Sequence, residues 1–134
     1  MQLDKTLFDN LLAQAAANPR LRQSMDLRNS PEDLSQRMLN ALLPGTVLPI
    51  HRHAKTSETL VLLCGRMEEI FYEETSDGAL RESERILLSF EGPVQGLNIP
   101  LGRWHSINVL EPTVILECKD GKYEPLSQDD MISM

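Results

Sequence analysis

The stretch GTVLPIHRHAKTSETLVLLCG, residues 45–65, holds two of the three histidines of a 134-residue chain. His51 and His53 are two positions apart, so on a β-strand their side chains point to the same face. Glu58 follows beyond a short polar loop, and the third histidine, His105, lies in another predicted strand. Imidazoles and a carboxylate together are a typical ligand set for Zn, Fe, Mn, Ni or Cu. These residues therefore predict one metal centre that uses every histidine of the chain.

Around this stretch, glycine and proline separate short apolar or alternating runs of the kind that form β-strands. The runs are 37–43, 59–64, 66–73, 84–89, 97–99, 104–110 and 113–119. The SDG sequence at 76–78 is typical of a hairpin turn between two of them. Short strands with turns about every 8–12 residues predict an antiparallel sandwich or barrel.

The N-terminal segment has a different pattern. Apolar residues recur at helical spacing from Leu3 to Ala16, and Asn18-Pro19 ends the run. Ser30-Pro31, followed by two acids, predicts the start of a second, short helix. We therefore divide the chain into a helical N-terminal extension (1–35), a β-barrel (36–121) and a polar C-terminal tail (122–134).

Composition limits the possible partners and locations. The chain is 41% hydrophobic and 25% charged, as in ordinary soluble domains, and its net charge of −7 argues against a nucleic acid or an anionic membrane as partner. No apolar run approaches the roughly 18 residues of a membrane span, and the N-terminus lacks the pattern of a signal peptide. Two cysteines do not make a disulfide framework. We expect a cytoplasmic protein.

The spacing of the central stretch also resembles a known family. Gly45, His51, His53, Glu58 and Gly65 match the first cupin motif at every specified position. That motif is specific, because five residues of defined type stand at four defined spacings.

A second cupin motif is matched in its central part by Pro100, Gly102 and His105. It departs from the family pattern where a glycine is replaced by Val94 and an asparagine by Val109. No ligand is lost by these changes. The resemblance implies a cupin-type antiparallel jelly-roll β-barrel in which one divalent transition metal (Zn, Fe, Mn or Ni) is bound. The implied ligands are His51, His53, Glu58 and His105.

Three segments are more narrowly similar to the WbuC-type cupin-fold metalloproteins: SQRMLNALLPGTVLPIHRH (35–53), PLGRWH (100–105) and ILECKDGKY (115–123). This resemblance implies a context in bacterial surface-polysaccharide metabolism. It does not imply a mechanism.

Three histidines and one carboxylate leave open positions on a five- or six-coordinate metal, which is the pattern of a catalytic site. The leading hypothesis is a metal-dependent isomerase or epimerase that acts on a small carbohydrate or sugar-nucleotide-like substrate. Alternatives are a metal-dependent dioxygenase and a metal-dependent small-molecule-binding module without turnover. Glu58 could instead be a surface acid, with the metal held by three histidines. Glu117 and Tyr123 are the candidates for acid–base residues.

The sequence also suggests two kinds of partner. Basic residues near the motifs could bind an anionic substrate, although ordinary surface charge explains them as well. They are Arg52, Lys55, Arg66 and Arg103. We further expect a homodimer, because barrels of this type leave an apolar sheet face or edge to be covered, with 37–43 as the candidate contact strand.

Overall fold

The computed structural model describes residues 1–132, which form one α-helix, one 3₁₀ helix and ten β-strands. The helix is α1 (Lys5–Ala17), and the 3₁₀ helix is Gln128–Asp130. The strands are β1 (Arg22–Asp26), β2 (Ser35–Leu42), β3 (Ile50–His51), β4 (Glu58–Cys64), β5 (Arg66–Glu74), β6 (Leu80–Ser89), β7 (Gly96–Ile99), β8 (Trp104–Val109), β9 (Thr113–Asp120) and β10 (Met131–Ile132). Among these residues, no helix has the length and apolar character needed to cross a membrane. The mainly antiparallel β class with a helix at the N-terminus is confirmed.

The strands form two antiparallel sheets of five strands each. Their orders are β1-β2-β9-β4-β7 and β10-β3-β8-β5-β6. Strands far apart in sequence, such as β2 and β9, are hydrogen-bonded neighbours, as expected for the jelly-roll fold that the sequence predicted. The two sheets stay open at their edges and do not close into one continuous barrel.

The main core lies between the inner faces of the two sheets. Alternation along β4 shows why: Leu60 and Leu62 are 2% and 1% exposed, whereas Val61 between them is 39% exposed. Side chains of a strand point alternately to its two faces, so one face of β4 is buried and the other is not. The buried cluster comprises Leu42, Leu60, Leu62, Met67, Phe71, Leu88, Ile99, Val109 and Ile115.

Helix α1 covers the outer face of the first sheet. The Asp4 side chain accepts a hydrogen bond from the Leu7 backbone N–H at 2.9 Å and so caps the first turn. Leu11 and Ala15 are buried in a second apolar cluster with residues of β2 and β9, including Leu39. The helix ends at Ala17, with Asn18 as its C-cap before Pro19, as the sequence predicted.

The turn between β4 and β5 explains one glycine of the central motif. Gly65 has φ +94°, and a Cβ added there would lie 2.3 Å from the Pro112 carbonyl oxygen. Neither the conformation nor the space admits another residue. The structure therefore requires glycine at this position.

The prediction of a second helix at Ser30-Pro31 is wrong. Ser30 Oγ accepts a hydrogen bond from Glu32 N at 3.2 Å, and the Ser30 carbonyl accepts one from Asp33 N at 3.1 Å. These contacts form an isolated turn that leads into β2. No apolar helical face follows that packing could stabilise, so the capping signal does not propagate.

The boundaries of the three predicted segments also differ from the structure. Residues 22–26, inside the predicted helical extension, form β1, which pairs with β2 from Arg22–Leu42 to Asp26–Met38. In the predicted tail, residues 131–132 form β10 and pair with β3, while residues 133–134 lie outside the described residues.

The predicted contact strand of a homodimer is not an open edge. β2 lies between β1 and β9, so the main chain of the strand is paired on both sides. Its outer face packs under α1. β2 cannot pair with a second copy in this structure.

Candidate metal centre

The three histidines come together at the ends of two neighbouring strands. His51 ends β3 and pairs directly with His105 of β8, and His53 follows β3 in a loop held by a 2.8 Å hydrogen bond from Gly102 N to the His53 carbonyl. The ring centroids of His51 and His105 are 4.3 Å apart, and that of His53 lies 5.2 Å and 5.7 Å from them. One potential ligand atom from each ring lies within 4.8 Å of the other two.

Backbone carbonyls fix two of the rings in one tautomer. His51 Nδ1 lies 3.0 Å from the Pro49 carbonyl oxygen, and His105 Nδ1 lies 2.8 Å from the Arg103 carbonyl oxygen. A carbonyl oxygen can only accept, so each Nδ1 carries the hydrogen and donates it. The Nε2 atom of each ring then has a free lone pair. Metal-binding histidines have this arrangement.

Glu58 supplies a carboxylate beside these rings from the opposite sheet. It begins β4 and is 4% exposed, and its Oε2 atom lies 3.1 Å from His53 Nε2 and 3.8 Å from His105 Nε2. That oxygen is buried and has no aligned hydrogen-bond partner among the described residues. Burial by itself raises the pKa of the Glu58 carboxyl, but contact with His53 and the charges of Lys119 and His105 outweigh it and lower the pKa to about 2.

The electrostatics of the rings complement this carboxylate. Burial, with a smaller contribution from His105, lowers the pKa of His51 to about 4, and burial also lowers the pKa of His105. Both rings are therefore neutral near pH 7, as metal binding requires. Neutral imidazole nitrogens next to a buried, ionised carboxylate oxygen fit the donor set of a transition metal.

The centre forms part of the wall of a cavity of about 750 Å³. This volume lies within the range of roughly 300–1,000 Å³ that is typical of small-molecule sites. Both sheets contribute side chains to the wall, and residues 121–127 of the tail cover part of it. A small molecule in this cavity would contact the histidines directly.

Comparison with known proteins assigns the sequence to a family. Residues 3–86 match the family described as "Domain of unknown function (DUF6016)". The match covers more than half of the chain. The chain belongs to this family. No curated protein matches the sequence significantly.

Solved structures share the fold. KdgF from Halomonas sp. has a TM-score of 0.60 and 18% identity, over 79% of this chain and 84% of KdgF. The capsular polysaccharide assembling protein CapF from Staphylococcus aureus has a TM-score of 0.63 and 20% identity, over 81% of this chain but only 28% of CapF. The Cnp3 cupin domain of Schizosaccharomyces pombe has a TM-score of 0.58 and 13% identity, over 75% of this chain and 64% of that domain. The fold is therefore the cupin fold, as the sequence predicted.

The two predicted acid–base candidates both line the cavity, but in different settings. Glu117 of β9 projects from the inner face of the sheet, opposite Leu60 of β4. Burial, and then the charge of Glu58, raises the pKa of Glu117 to about 8. Tyr123 is 50% exposed in the tail, with the Arg28 guanidinium 5.6 Å from the centre of its ring.

A second fully buried acid, besides Glu58, was not among the residues predicted from the sequence. Glu69 is 1% exposed, lines the cavity from β5, and its Oε2 atom has no hydrogen-bond partner among residues 1–132. Burial, followed by the charges of Glu58 and Glu117, raises the pKa of Glu69 well above its ordinary value. A signal existed in the sequence: alternation places Glu69 on the same face as Met67 and Phe71, both core residues.

The basic residues near the motifs form ion pairs. Arg52 Nε donates to Asp130 Oδ1 at 2.8 Å, Lys55 Nζ lies 3.2 Å from Glu124, and Arg66 lies 3.5 Å from Glu111. Arg103 lies 3.9 Å from Glu84 and stacks over Phe71 at 4.7 Å. Ordinary surface charge therefore describes this group better than an anion site.

Proposed function

We propose that this chain is a metal-dependent cupin enzyme that isomerises or epimerises a small carbohydrate or sugar-nucleotide-like substrate. The observation that carries the proposal is the centre itself. Three imidazoles and the buried Glu58 carboxylate meet at the wall of a cavity of about 750 Å³. A purely structural metal site has no need of a cavity of that size beside its ligands.

His51, His53, Glu58 and His105 would hold one divalent transition metal. When bound, such a metal polarises a substrate carbonyl and stabilises the negative charge that develops on its oxygen. The protein holds the ligands in place before binding. The carbonyls of Pro49 and Arg103 orient two of the rings, and strand pairing aligns His51 with His105.

Glu117 is the residue we assign to proton transfer. Its carboxylate would remove a proton from the substrate carbon next to the carbonyl, and its carboxyl group would then return a proton to the same or the neighbouring carbon. Inversion requires a second acid, for which Glu69 is the candidate, to deliver a proton to the opposite face of the same carbon. Return of the proton by Glu117 to the former carbonyl carbon, with transfer of the neighbouring hydroxyl proton to the former carbonyl oxygen, moves the carbonyl. A pKa of about 8 lies close to neutral pH, where a group can both accept and donate. Glu69 supplies a second protonated carboxyl in the same cavity.

The carbohydrate context rests on two kinds of support. The segments at 35–53, 100–105 and 115–123 resemble the WbuC-type cupins, which implies surface-polysaccharide metabolism. The fold is similar to that of CapF, a capsular polysaccharide assembling protein. A binding module without turnover and a dioxygenase remain the alternatives, and the buried acids of the cavity favour proton transfer over both.

Deuterium exchange tests the proposal directly. The metal-loaded protein is incubated in D₂O with a panel of sugars and sugar nucleotides, and NMR follows the C–H groups next to the carbonyl. We expect metal-dependent exchange with one member of the panel. Glu117→Gln should lower the exchange rate by about a hundredfold or more, the usual contribution of a general acid–base, while the variant retains its metal. Glu73→Gln, which removes an exposed acid that is paired with Arg81 outside the cavity wall, is the matched control. Metal-loaded protein that catalyses no exchange with any panel member would contradict the enzymatic proposal.

A further inference from the structure

Two of the cations that line the cavity form no ion pair among the described residues. Arg22, Lys55, Lys119 and Lys122 all contribute to its wall. Lys55 lies 3.2 Å from Glu124, and Lys122 lies 2.8 Å from Glu32. Within residues 1–132, neither Arg22 nor Lys119 forms an ion pair.

Arg22 points into the molecule although it belongs to an edge strand. It stands directly opposite Leu42 in the β1–β2 ladder, and Leu42 is 1% exposed in the core between the sheets. Residues opposite each other in a ladder project from the same face, so Arg22 faces the interior. Its Nη1 atom is buried and has no hydrogen-bond partner among the described residues.

A ligand that accepts a hydrogen bond from Arg22 would offset the cost of this arrangement. A buried donor without an acceptor costs on the order of 1–3 kcal/mol, and more when the group is charged. Burial, together with the nearby Arg20, lowers the pKa of Arg22, as expected when a guanidinium loses water without gaining a carboxylate. An oxyanion would satisfy both the hydrogen bond and the charge.

Lys119 stands at the other end of the same inner face. It pairs with Glu58 on one side and with Gln36 on the other, which places it beside the metal centre. Arg22 pairs with Leu42, six residues further along β2 than Gln36, which corresponds to about 20 Å of strand. The lengths of the two side chains shorten this separation, but a single small oxyanion cannot contact both Arg22 and Lys119. A ligand that reaches both must be elongated.

We propose that Arg22 anchors a phosphate subsite at the end of the cavity away from the metal centre, with Lys119 as the cation nearer the centre. The inference rests on the proposed function and narrows its substrate to phosphorylated sugars. A sugar joined to a diphosphate has the required shape: its sugar lies at the centre, beside Lys119, and its diphosphate reaches Arg22. The positions of the acidic residues in the cavity agree with this orientation of the ligand. Glu58, Glu69 and Glu117 stand on β4, β5 and β9, whereas Arg22 stands on the edge strand β1.

Calorimetric titration of the metal-loaded protein tests this assignment with three probes: glucose, glucose 1-phosphate and UDP-glucose. We expect affinity to rise in that order. Arg22→Gln should weaken binding of UDP-glucose by about tenfold or more, which corresponds to one hydrogen bond to a charged group. Lys119→Gln should weaken both phosphorylated probes. Arg81→Gln removes an exposed arginine that is paired with Glu73 outside the cavity wall, and it should change affinity less than about twofold, because exposed charges at a distance are screened.

The outcomes separate this inference from the proposed function. Equal affinity for all three probes, absence of binding, or binding of UDP-glucose that Arg22→Gln leaves unchanged would each overturn the subsite. If Arg22→Gln does not fold, two other variants decide. Arg22→Lys keeps the positive charge on a side chain of similar length, and Lys119→Gln removes the charge of the second cation. A wild-type protein that contains no metal but still binds UDP-glucose through Arg22 would retain the subsite and remove the proposed enzyme.

Discussion

Glu117 carries the clearest consequence of burial at the scale of one residue. Its pKa is raised to about 8 by burial and by the neighbouring Glu58 carboxylate. In an unfolded chain a glutamate releases its proton near pH 4.3. Between these values the folded state binds the proton and the unfolded state does not, so this residue stabilises the fold at low pH and the stabilisation is lost as the pH rises through about 8.

We therefore predict that Glu117→Gln makes the metal-free protein more stable at pH 9 relative to the wild type, by more than about 1 kcal/mol, and that the advantage shrinks below pH 5. Urea unfolding of both proteins at the two pH values measures it. Glu124→Gln, at an exposed position, should show no such pH-dependent difference. A wild-type protein that gains stability relative to Glu117→Gln as the pH rises would show that the carboxyl is ionised in the fold.

Residues of the site differ in how far sequence could predict them. The two-residue spacing of His51 and His53 predicted neighbouring side chains, and the resemblance to the cupin motifs added Glu58 and His105 to the set. Arg22 has no comparable signal, because the run RQSMD (22–26) contains one apolar residue and looks like a polar connector. Its place in the cavity depends on the pairing of β1 with β2, which is set by tertiary packing.

Helix α1 offers the sharpest test at the scale of an element. Leu11 is 4% exposed and packs against the outer face of the first sheet, on the side away from the metal centre. Leu11→Ala should lower the free energy of unfolding by about 2–4 kcal/mol, the usual cost of such a cavity. The metal content should stay that of the wild type. Urea unfolding and elemental analysis check the two parts, and loss of metal without loss of stability would contradict this separation of roles.

Elements were predictable where local pattern and tertiary role agree. All seven predicted strands exist. Alternation of apolar and polar residues marks the buried face of a strand, and glycine and proline mark its ends. The helix expected at Ser30-Pro31 does not form, because a capping signal starts a stable helix only when an apolar face follows it. β10 pairs through only two residues, and such short pairing leaves no periodicity to detect.

At the scale of the whole molecule, pairing of two copies stays a prediction. β2 is enclosed on both edges, so a dimer would have to use another surface. Light scattering over a range of concentrations should give the mass of two chains. A mass of one chain at every concentration would contradict the homodimer. The result does not affect the metal centre, whose predicted ligands all belong to one chain.

The central claim is that His51, His53, Glu58 and His105 hold a metal, and elemental analysis of protein purified without added metal tests it most directly. We predict about one equivalent of a first-row transition metal per chain. Each histidine-to-alanine change should lower that content by more than about tenfold, and Glu58→Gln should weaken binding because it keeps an oxygen donor but removes the charge. Leu11→Ala should keep its metal. Wild-type protein that contains no such metal, and whose thermal melt does not respond to added Zn, Mn, Ni or Fe, would contradict the claim.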